Sequence, residues 1–443
     1  MRIFVLTLSS LLLSGCAVLD PYNIIGRTHV PMPANDSPLT MIAPDAWKQQ
    51  AFEQVWTTVN ERYYDAGLNG VDWQAARAKY EPLLKAARSD DEYWELLDRM
   101  TGELHDSHTR VQSPKQVEQQ RSFESHALGI NFLEMDGALM LSGVHPESDA
   151  WWAGARAGMT INTINGEPAL ALYRRLLAET RDSSTPRARA RGVLRKISAG
   201  EIGSAVSMSF VRADGSEFGA TIKRRSFRTP PEMLGRVLPS GFGYIRFSGF
   251  QGNLESRILN AIDEMKSTPG MIVDLRNNGG GSLSMANTLI SKFLSAPQKG
   301  ARIITRSGKP PTIFFIEAIK LETPLKGDGE HAYTKPLVIL TNDGSASASE
   351  VMASTLQDLG RATVIGQRSC GCLLGFLGYA DLPGGGQLAY SELGFVSPKG
   401  KRIEHEGVIP DREVTLVRED YVLSRDRTLE AAVNFLSEKT GRK

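Results

Sequence analysis

Two short apolar runs most constrain what this chain can fold into. They are Met271-Ile272-Val273-Asp274-Leu275 and Leu337-Val338-Ile339-Leu340-Thr341. Each is strand-length, and each is followed by small turn residues and then a helical pattern, the signature of a buried strand. The first run leads into Gly279-Gly280-Gly281 and a helix from about Leu283; the second leads into Gly344-Ser345-Ala346-Ser347-Ala348-Ser349 and another helix. Gly243–Phe247 and Ala362–Gly366 read as further strands. Strands alternating with helices predict an α/β core with a central sheet over residues 230–422. In such sheets, sites form beyond the carboxyl ends of the strands, so chemistry is expected at these two turns.

The first turn, Asn277-Asn278-Gly279-Gly280-Gly281-Ser282, leaves backbone N–H groups uncovered near a helix start. Such groups suit a developing oxyanion. A phosphate cradle would need a following Gly-Lys-Ser/Thr, which is missing. The second turn places three serines among small residues at the mouth of a helix. A nucleophile needs an exposed hydroxyl, a tight turn and room for a carbonyl. The same residue types also cap and pack ordinary helices.

The rest of the chain divides by pattern. At 443 residues it exceeds one ordinary core, which predicts two or three domains. With 51 Lys and Arg against 50 Asp and Glu, it has no basic excess to point to nucleic acid. Residues 45–115 form a helical N-terminal region: Phe52, Trp56, Val59 and Tyr63 recur at helical spacing, as do Leu96, Leu97, Met100 and Leu104. Breaks at Gly67, Gly70 and Asp72 predict three short helices. Residues 120–226 read as short strands with Gly turns, carrying a helical insert from Arg174 to Arg195. A C-terminal helix is expected in 423–443.

At the N-terminus, Arg2 precedes an apolar stretch, Ile3 to Leu13, too short to span a bilayer. Leu13-Ser14-Gly15-Cys16 then resembles a bacterial lipobox. The resemblance implies a signal peptide over 1–16, lipidation of Cys16 and, with Ala17 following, an outer-membrane anchor facing the periplasm. Residues 17–44 hold five prolines, Pro21, Pro31, Pro33, Pro38 and Pro44, and read as a poorly ordered tether.

Within 120–226, Leu128-Gly129-Ile130, Ala153-Gly154 to Ile161 and Ile164-Asn165-Gly166 resemble a PDZ domain. That implies backbone N–H groups at Leu128, Gly129 and Ile130 that take a peptide's C-terminal carboxylate. The two turns together, Asp274-Leu275-Arg276-Asn277-Asn278-Gly279-Gly280 and Ser345-Ala346-Ser347-Ala348-Ser349-Glu350, resemble peptidase family S41, which includes C-terminal processing and tricorn-like proteases. The likeness covers nearly all of the chain beyond the tether and implies a ClpP/crotonase-like peptidase core. It places the nucleophile on Ser347 and the oxyanion hole on the Ala348 N–H with that of Gly281 or Gly280.

The family's processing proteases use a Ser–Lys dyad, but the corresponding lysine position holds Cys372, and no lysine lies between Ser347 and Lys399. The tricorn-like branch uses a histidine. Gly102-Glu103-Leu104-His105-Asp106-Ser107-His108 resembles its motif, which makes His108 the general base and Ser107 its orienting partner; His105 and His405 compete. The acidic member falls on Glu404, ahead of Gly407-Val408-Ile409-Pro410-Asp411, with Glu406 as fallback. A neutral imidazole, about 6.5 unperturbed, can accept the Ser347 proton, and a carboxylate orients it. Cys370 and Cys372 read as small buried side chains shaping the pocket, because a disulfide across one residue would be strained. No metal or other cofactor is implied.

The function expected is therefore a serine endopeptidase acting on exported proteins or peptides. The alternative is a catalytically inactive peptidase-like scaffold that binds protein C-termini. The missing Gly-x-Ser-x-Gly elbow at Ser347, and His108 preceding the serine, argue against a lipase or esterase of the α/β-hydrolase class.

Overall fold

The computed structural model describes residues 46–313 and 315–442, together with Ile24 and Arg27. Cys16 lies outside the described residues. The chain forms two compact units. The first combines 1–121, 297–326 and 373–404; the second combines 122–296, 327–372 and 405–443. Two segments read within the 230–422 core thus belong with the N-terminal helices.

The first unit is built on three helices, α1 (Ala46–Arg62), α2 (Trp73–Lys85) and α3 (Asp90–Gly102). Their starts follow from capping chemistry: Asp72 accepts from Ala75 N–H, and Ser89 from Glu92 N–H ahead of an acidic first turn. Their apolar faces enclose Phe52, Val59, Tyr63, Trp94 and Leu97, and this core takes in Leu388 and Tyr390 from far along the chain. A four-stranded sheet orders Glu322–Leu325, Gln298–Ile304, Leu393–Val396 and Leu374–Gly375.

Arg27 departs from the reading of 17–44 as a poorly ordered tether. It is buried in this unit, hydrogen-bonded to the Glu392 carboxylate and the Tyr390 hydroxyl. Proline content signals the lack of periodic structure; it is blind to a single arginine matched to a buried carboxylate.

The second unit contains two large sheets, besides a two-stranded pairing of Glu124–Ala127 with Arg225–Arg228. One, within 122–228, runs Ile130–Met135, Ala138–Val144, Thr160–Ile164, Ala205–Val211 and Glu217–Lys223, and is covered by α4 (Ala169–Glu179) and α5 (Pro186–Ser198). The central sheet runs β1 (Met233–Val237), β2 (Gly243–Phe247), β3 (Met271–Asp274), β4 (Leu337–Thr341), β5 (Thr363–Gly366) and β6 (Arg412–Glu413), in that spatial order. All its pairs except β1–β2 are parallel. Every residue of β3 and β4 is buried, as parallel strands with both faces covered require. On one face Ile272, Val338, Leu340 and Ile365 pack on Phe435 and Leu436 of the C-terminal helix Arg427–Thr440. Because β3 and β4 are neighbours and point the same way, the turns that follow them emerge side by side.

Candidate active site

The helix Ala348–Asp358 starts immediately after Ser347. The three serines of the turn have different fates. Ser345 is fully buried and donates its hydroxyl to Leu275 O at 2.7 Å; Ser349 is fully buried and donates to Asn278 O at 2.9 Å. Both pin the serine turn to the glycine turn. Ser347 alone stays partly exposed, with φ 55° and ψ −118°. A residue with a Cβ costs roughly 1–3 kcal/mol in such a conformation and persists only when its surroundings fix it, a situation that concentrates at active sites.

The glycine turn meets Ser347 directly. Gly280 has φ 93°, and a Cβ there would stand 2.7 Å from Ser347 Cβ and 2.8 Å from Ala348 N. Its N–H already donates to Asn278 Oδ1 at 3.0 Å. The Gly281 and Ala348 N–H groups make no hydrogen bond among the described residues. Of the two glycine donors expected from sequence, Gly281 is therefore the one with a free N–H. Asp274 braces the turn from below, accepting from the Tyr244 hydroxyl at 2.7 Å and from Arg276 Nε at 2.9 Å, while Arg276 also pairs with Asp426.

Glu350 is a site residue to which sequence reading gave no role. It is buried and accepts four hydrogen bonds: from Ser347 N–H at 3.0 Å, Ser369 Oγ at 2.6 Å, Gly371 N–H at 2.7 Å and Cys372 N–H at 3.0 Å. Burial pushes its carboxyl up to about 7, and the four donors pull the other way. The Ser-x-x-Glu spacing from Ser347 was the available signal, since it brings an acid back to an N-cap amide. The Cys372 carbonyl accepts a second bond from Ser347 N–H at 3.0 Å. Cys370 and Cys372 are joined as a disulfide, which corrects the reading of two separate buried thiols. Gly371 between them has φ 72° and so supplies the turn that lets the two sulfurs meet.

His108, Ser107 and Glu404 belong to the first unit, Ser347 and its donors to the second. Within the first unit, fully buried Asp106 organises the histidine loop. It accepts from His108 N–H at 2.7 Å, from the Thr109 hydroxyl and from Ser391 Oγ at 2.6 Å. Desolvation pushes the His108 imidazole down to about 4; the Asp106 charge opposes this and Arg110 adds to it. A ring held neutral is the form that accepts a proton. Its Nδ1 is buried and makes no hydrogen bond among the described residues. Ser107 is partly buried next to Asp106. Glu404 is buried and accepts from Leu373 N–H. Burial pushes the Tyr63 phenol far up, helped by the charges of Asp106 and Glu404, so both carboxylates act on one buried hydroxyl.

The competitors fare differently. Glu406 is exposed, pairs with Arg368 at 2.8 Å, and lies in the second unit, apart from His108 in the division of the chain. His405 bonds Ser184 O through Nδ1 at 2.7 Å, and His105 is exposed. In the β-rich domain Leu128 is buried, and its N–H donates to Ser198 O at 3.1 Å, so one of the three expected carboxylate donors is already engaged. Gly129 packs so closely that a Cβ would stand 2.5 Å from Ser148 Cβ, and Ile130 begins a strand paired with Val144. Among the described residues no His, Cys, Asp and Glu group could hold a metal ion, and no helix is long and apolar enough to cross a membrane.

The sequence and the fold have counterparts. The sequence profile of Peptidase family S41 matches residues 241–414, and that of the Tricorn protease C1 domain matches residues 44–102. Carboxyl-terminal-processing peptidase 3, chloroplastic, of Arabidopsis thaliana is 26% identical over 83% of this chain and 69% of its own length. The carboxyl-terminal-processing protease of Picosynechococcus sp. is 27% identical over 88% of this chain and 90% of its own length. Among solved structures, the photosystem II D1 C-terminal processing protease superposes with a TM-score of 0.55 at 24% identity, covering 89% of this chain and 98% of that one. Mature CPAF gives 0.66 at 15% identity, covering 88% and 96%. The structures show a shared mixed α/β fold. Residues 241–414 thus match the S41 peptidase family, and that match together with the homologues supports a serine-type peptidase.

Proposed function

We propose that this chain is a serine endopeptidase in which Ser347 is the nucleophile and His108 its base. The observation that carries this reading is the strained Ser347 backbone, packed against Gly280 of the glycine turn, with the Ala348 and Gly281 N–H groups free of hydrogen bonds among the described residues. Ser347 Oγ attacks the scissile carbonyl carbon as His108 takes its proton. The two N–H groups stabilise the oxyanion, each worth roughly 3–4 kcal/mol. On collapse the peptide C–N bond breaks, and His108 returns the proton to the leaving amine; water then hydrolyses the acyl-enzyme by the same exchange. Glu404 is the acidic partner that stabilises the imidazolium, with Ser107 orienting the ring. Buried Glu404 shares the His108 unit, which favours it over exposed Glu406.

The substrates proposed are exported proteins or peptides. The β-rich domain acts as a PDZ module that takes their C-termini at Leu128, Gly129 and Ile130, in keeping with the names of the carboxyl-terminal-processing relatives. Capture there exchanges the Leu128–Ser198 bond for one to the carboxylate. Cys16 is the lipid anchor, placing the enzyme on the outer membrane facing the periplasm.

A fluorophosphonate probe tests the chemistry. The wild type should label and cleave casein, Ser347→Ala should do neither, and His108→Ala should label far more slowly. Equal labelling of wild type and Ser347→Ala would sink the assignment. Amidating a peptide substrate's C-terminus should slow cleavage, and Cys16→Ala should abolish palmitate incorporation.

A further inference from the structure

Ser347 can hold its strained conformation only if something fixes its amide, and the bonds that do so lead outward to a distant segment. The Ser347 N–H lies between Glu350 Oε2 and Cys372 O, at 3.0 Å from each. Glu350 is itself held by Ser369 Oγ and by the Gly371 and Cys372 N–H groups. Cys370 N–H donates to Ser345 O at 2.9 Å, inside the serine turn. The disulfide-closed loop Ser369–Cys372 is thus the wall against which the nucleophile turn is set.

That wall is held in turn by the residues that open α5. Thr185 is buried and donates its hydroxyl to Cys370 O at 2.7 Å. Arg187 Nη2 donates to Ser369 O at 3.1 Å, to Cys370 O at 3.4 Å and to Glu406 O at 3.1 Å. Every hydrogen bond of this guanidinium among the described residues goes to a main-chain carbonyl, and none to a carboxylate. A cation that serves only backbone carbonyls fixes the path of a loop. The fit is close: a Cβ on Gly371 would stand 2.7 Å from Thr185 Cγ2 and 3.0 Å from Gly407 N. His405 completes the junction, with N–H to Gly371 O at 2.9 Å and Nδ1 to Ser184 O at 2.7 Å.

We propose that Thr185 and Arg187 are positioning residues for the nucleophile, holding the Cys370–Cys372 loop so that Glu350 and the Cys372 carbonyl fix the Ser347 amide. The role rests on Ser347 being the nucleophile. Arg187 carries the cleaner test, because Thr185 also caps α5 through Ala188 N–H.

The experiment measures the rate constant of fluorophosphonate labelling at Ser347 in the full chain for wild type, Arg187→Lys and Arg187→Ala. Hydrogen exchange is followed in peptides covering 342–350 and 369–372. Small misplacements of a reacting group cost up to about a hundred-fold, so labelling should fall roughly ten- to hundred-fold in Arg187→Ala. Arg187→Lys should lie between, since one ammonium meets fewer of the three carbonyls. Added methylguanidinium should restore part of the Arg187→Ala rate, which a merely structural loss would not allow. Exchange should quicken in both peptides. Equal labelling in all three folded proteins, or a slow Arg187→Ala with unchanged exchange and no rescue, overturns the role. If Arg187→Ala does not fold, a labelling rate in Arg187→Lys equal to wild type overturns it equally. A wild type that does not label at Ser347 removes the peptidase reading, and this role with it.

Discussion

Arg27→Ala removes the cation from an ion pair that is almost wholly dry. The side chains of Arg27 and Glu392 are 2% and 1% exposed. Arg27 Nη2 donates to Glu392 Oε1 at 3.0 Å, and its guanidinium lies 4.7 Å over the Tyr390 ring. Leu377 N–H gives the carboxylate a further bond at 3.2 Å. An exposed pair would contribute about 0–1 kcal/mol. Taking one partner from a buried pair instead leaves a charge with no counter-ion, at roughly 3–5 kcal/mol. Burial already holds the Glu392 carboxyl above the usual value of 4.5, with Arg27 pulling it back down. Deleting Arg27 raises it further. A carboxyl whose folded pKa exceeds its unfolded one weakens the fold as pH climbs from the unfolded value to the folded one. The loss in Arg27→Ala should therefore be smallest near or below 4.5, where the group is neutral in both states, and reach its full size in alkaline solution.

Urea unfolding followed by tryptophan fluorescence suits the measurement, because Trp47, Trp56, Trp73 and Trp94 all lie in the unit that holds Arg27. The comparison runs at about pH 5 and about pH 8, where the linkage predicts a small and a large loss respectively. Arg27→Ala combined with Glu392→Gln should recover most of the stability at about pH 8, since no charge is then left buried. A loss below about 1 kcal/mol that is the same at both pH values would refute the reasoning and return Arg27 to the tether. The pair also bears on the histidine loop: Tyr390 and Glu392 flank Ser391, whose hydroxyl bonds Asp106.

Four further outcomes are expected. The His108 ring protons should titrate with a midpoint near 4 by NMR, and Asp106→Asn should move it lower; a wild-type midpoint at or above 6.5 contradicts the burial argument. Gly280→Ala should stop fluorophosphonate labelling while circular dichroism stays native, because its methyl group would stand 2.7 Å from Ser347 Cβ; wild-type labelling would show that the turn can give way. Glu350→Gln replaces a four-fold acceptor with a side chain that turns an NH2 toward backbone donors, and each unpaired buried group costs about 1–3 kcal/mol. It should slow labelling and lower the thermal midpoint together, and a change in neither counts against the bracing role. Ser345→Ala should keep measurable labelling, in contrast to Ser347→Ala, since Ser345 serves only to pin the turns.

What could be read from the sequence followed the range of the forces involved. Buried strands of four or five residues and the glycines after β3 leave local marks, so the α/β core and both turns were legible. Their adjacency needed only that β3 and β4 be parallel neighbours. The choice of Ser347 over Ser345 and Ser349 came from family resemblance; its physical ground appears only when Leu275 O and Asn278 O are seen to take the other two hydroxyls. Contacts closed over long loops left no trace. Asp106 meets Ser391 across 285 residues, Arg27 meets Glu392 across 365, and Thr185 meets Cys370 across 185. The cysteine pair was misjudged for a related reason: from spacing alone a Cys-Gly-Cys disulfide looks costly, whereas here the loop's path is fixed by Glu350 on one side and by Thr185 and Arg187 on the other. The family motif thus marks the groups proposed to react. The residues that fix where those groups stand carry no motif, and the catalytic constellation expected from this sequence depends on a second set, Glu350, Asp106, Ser391 and Arg187, that only the fold assembles.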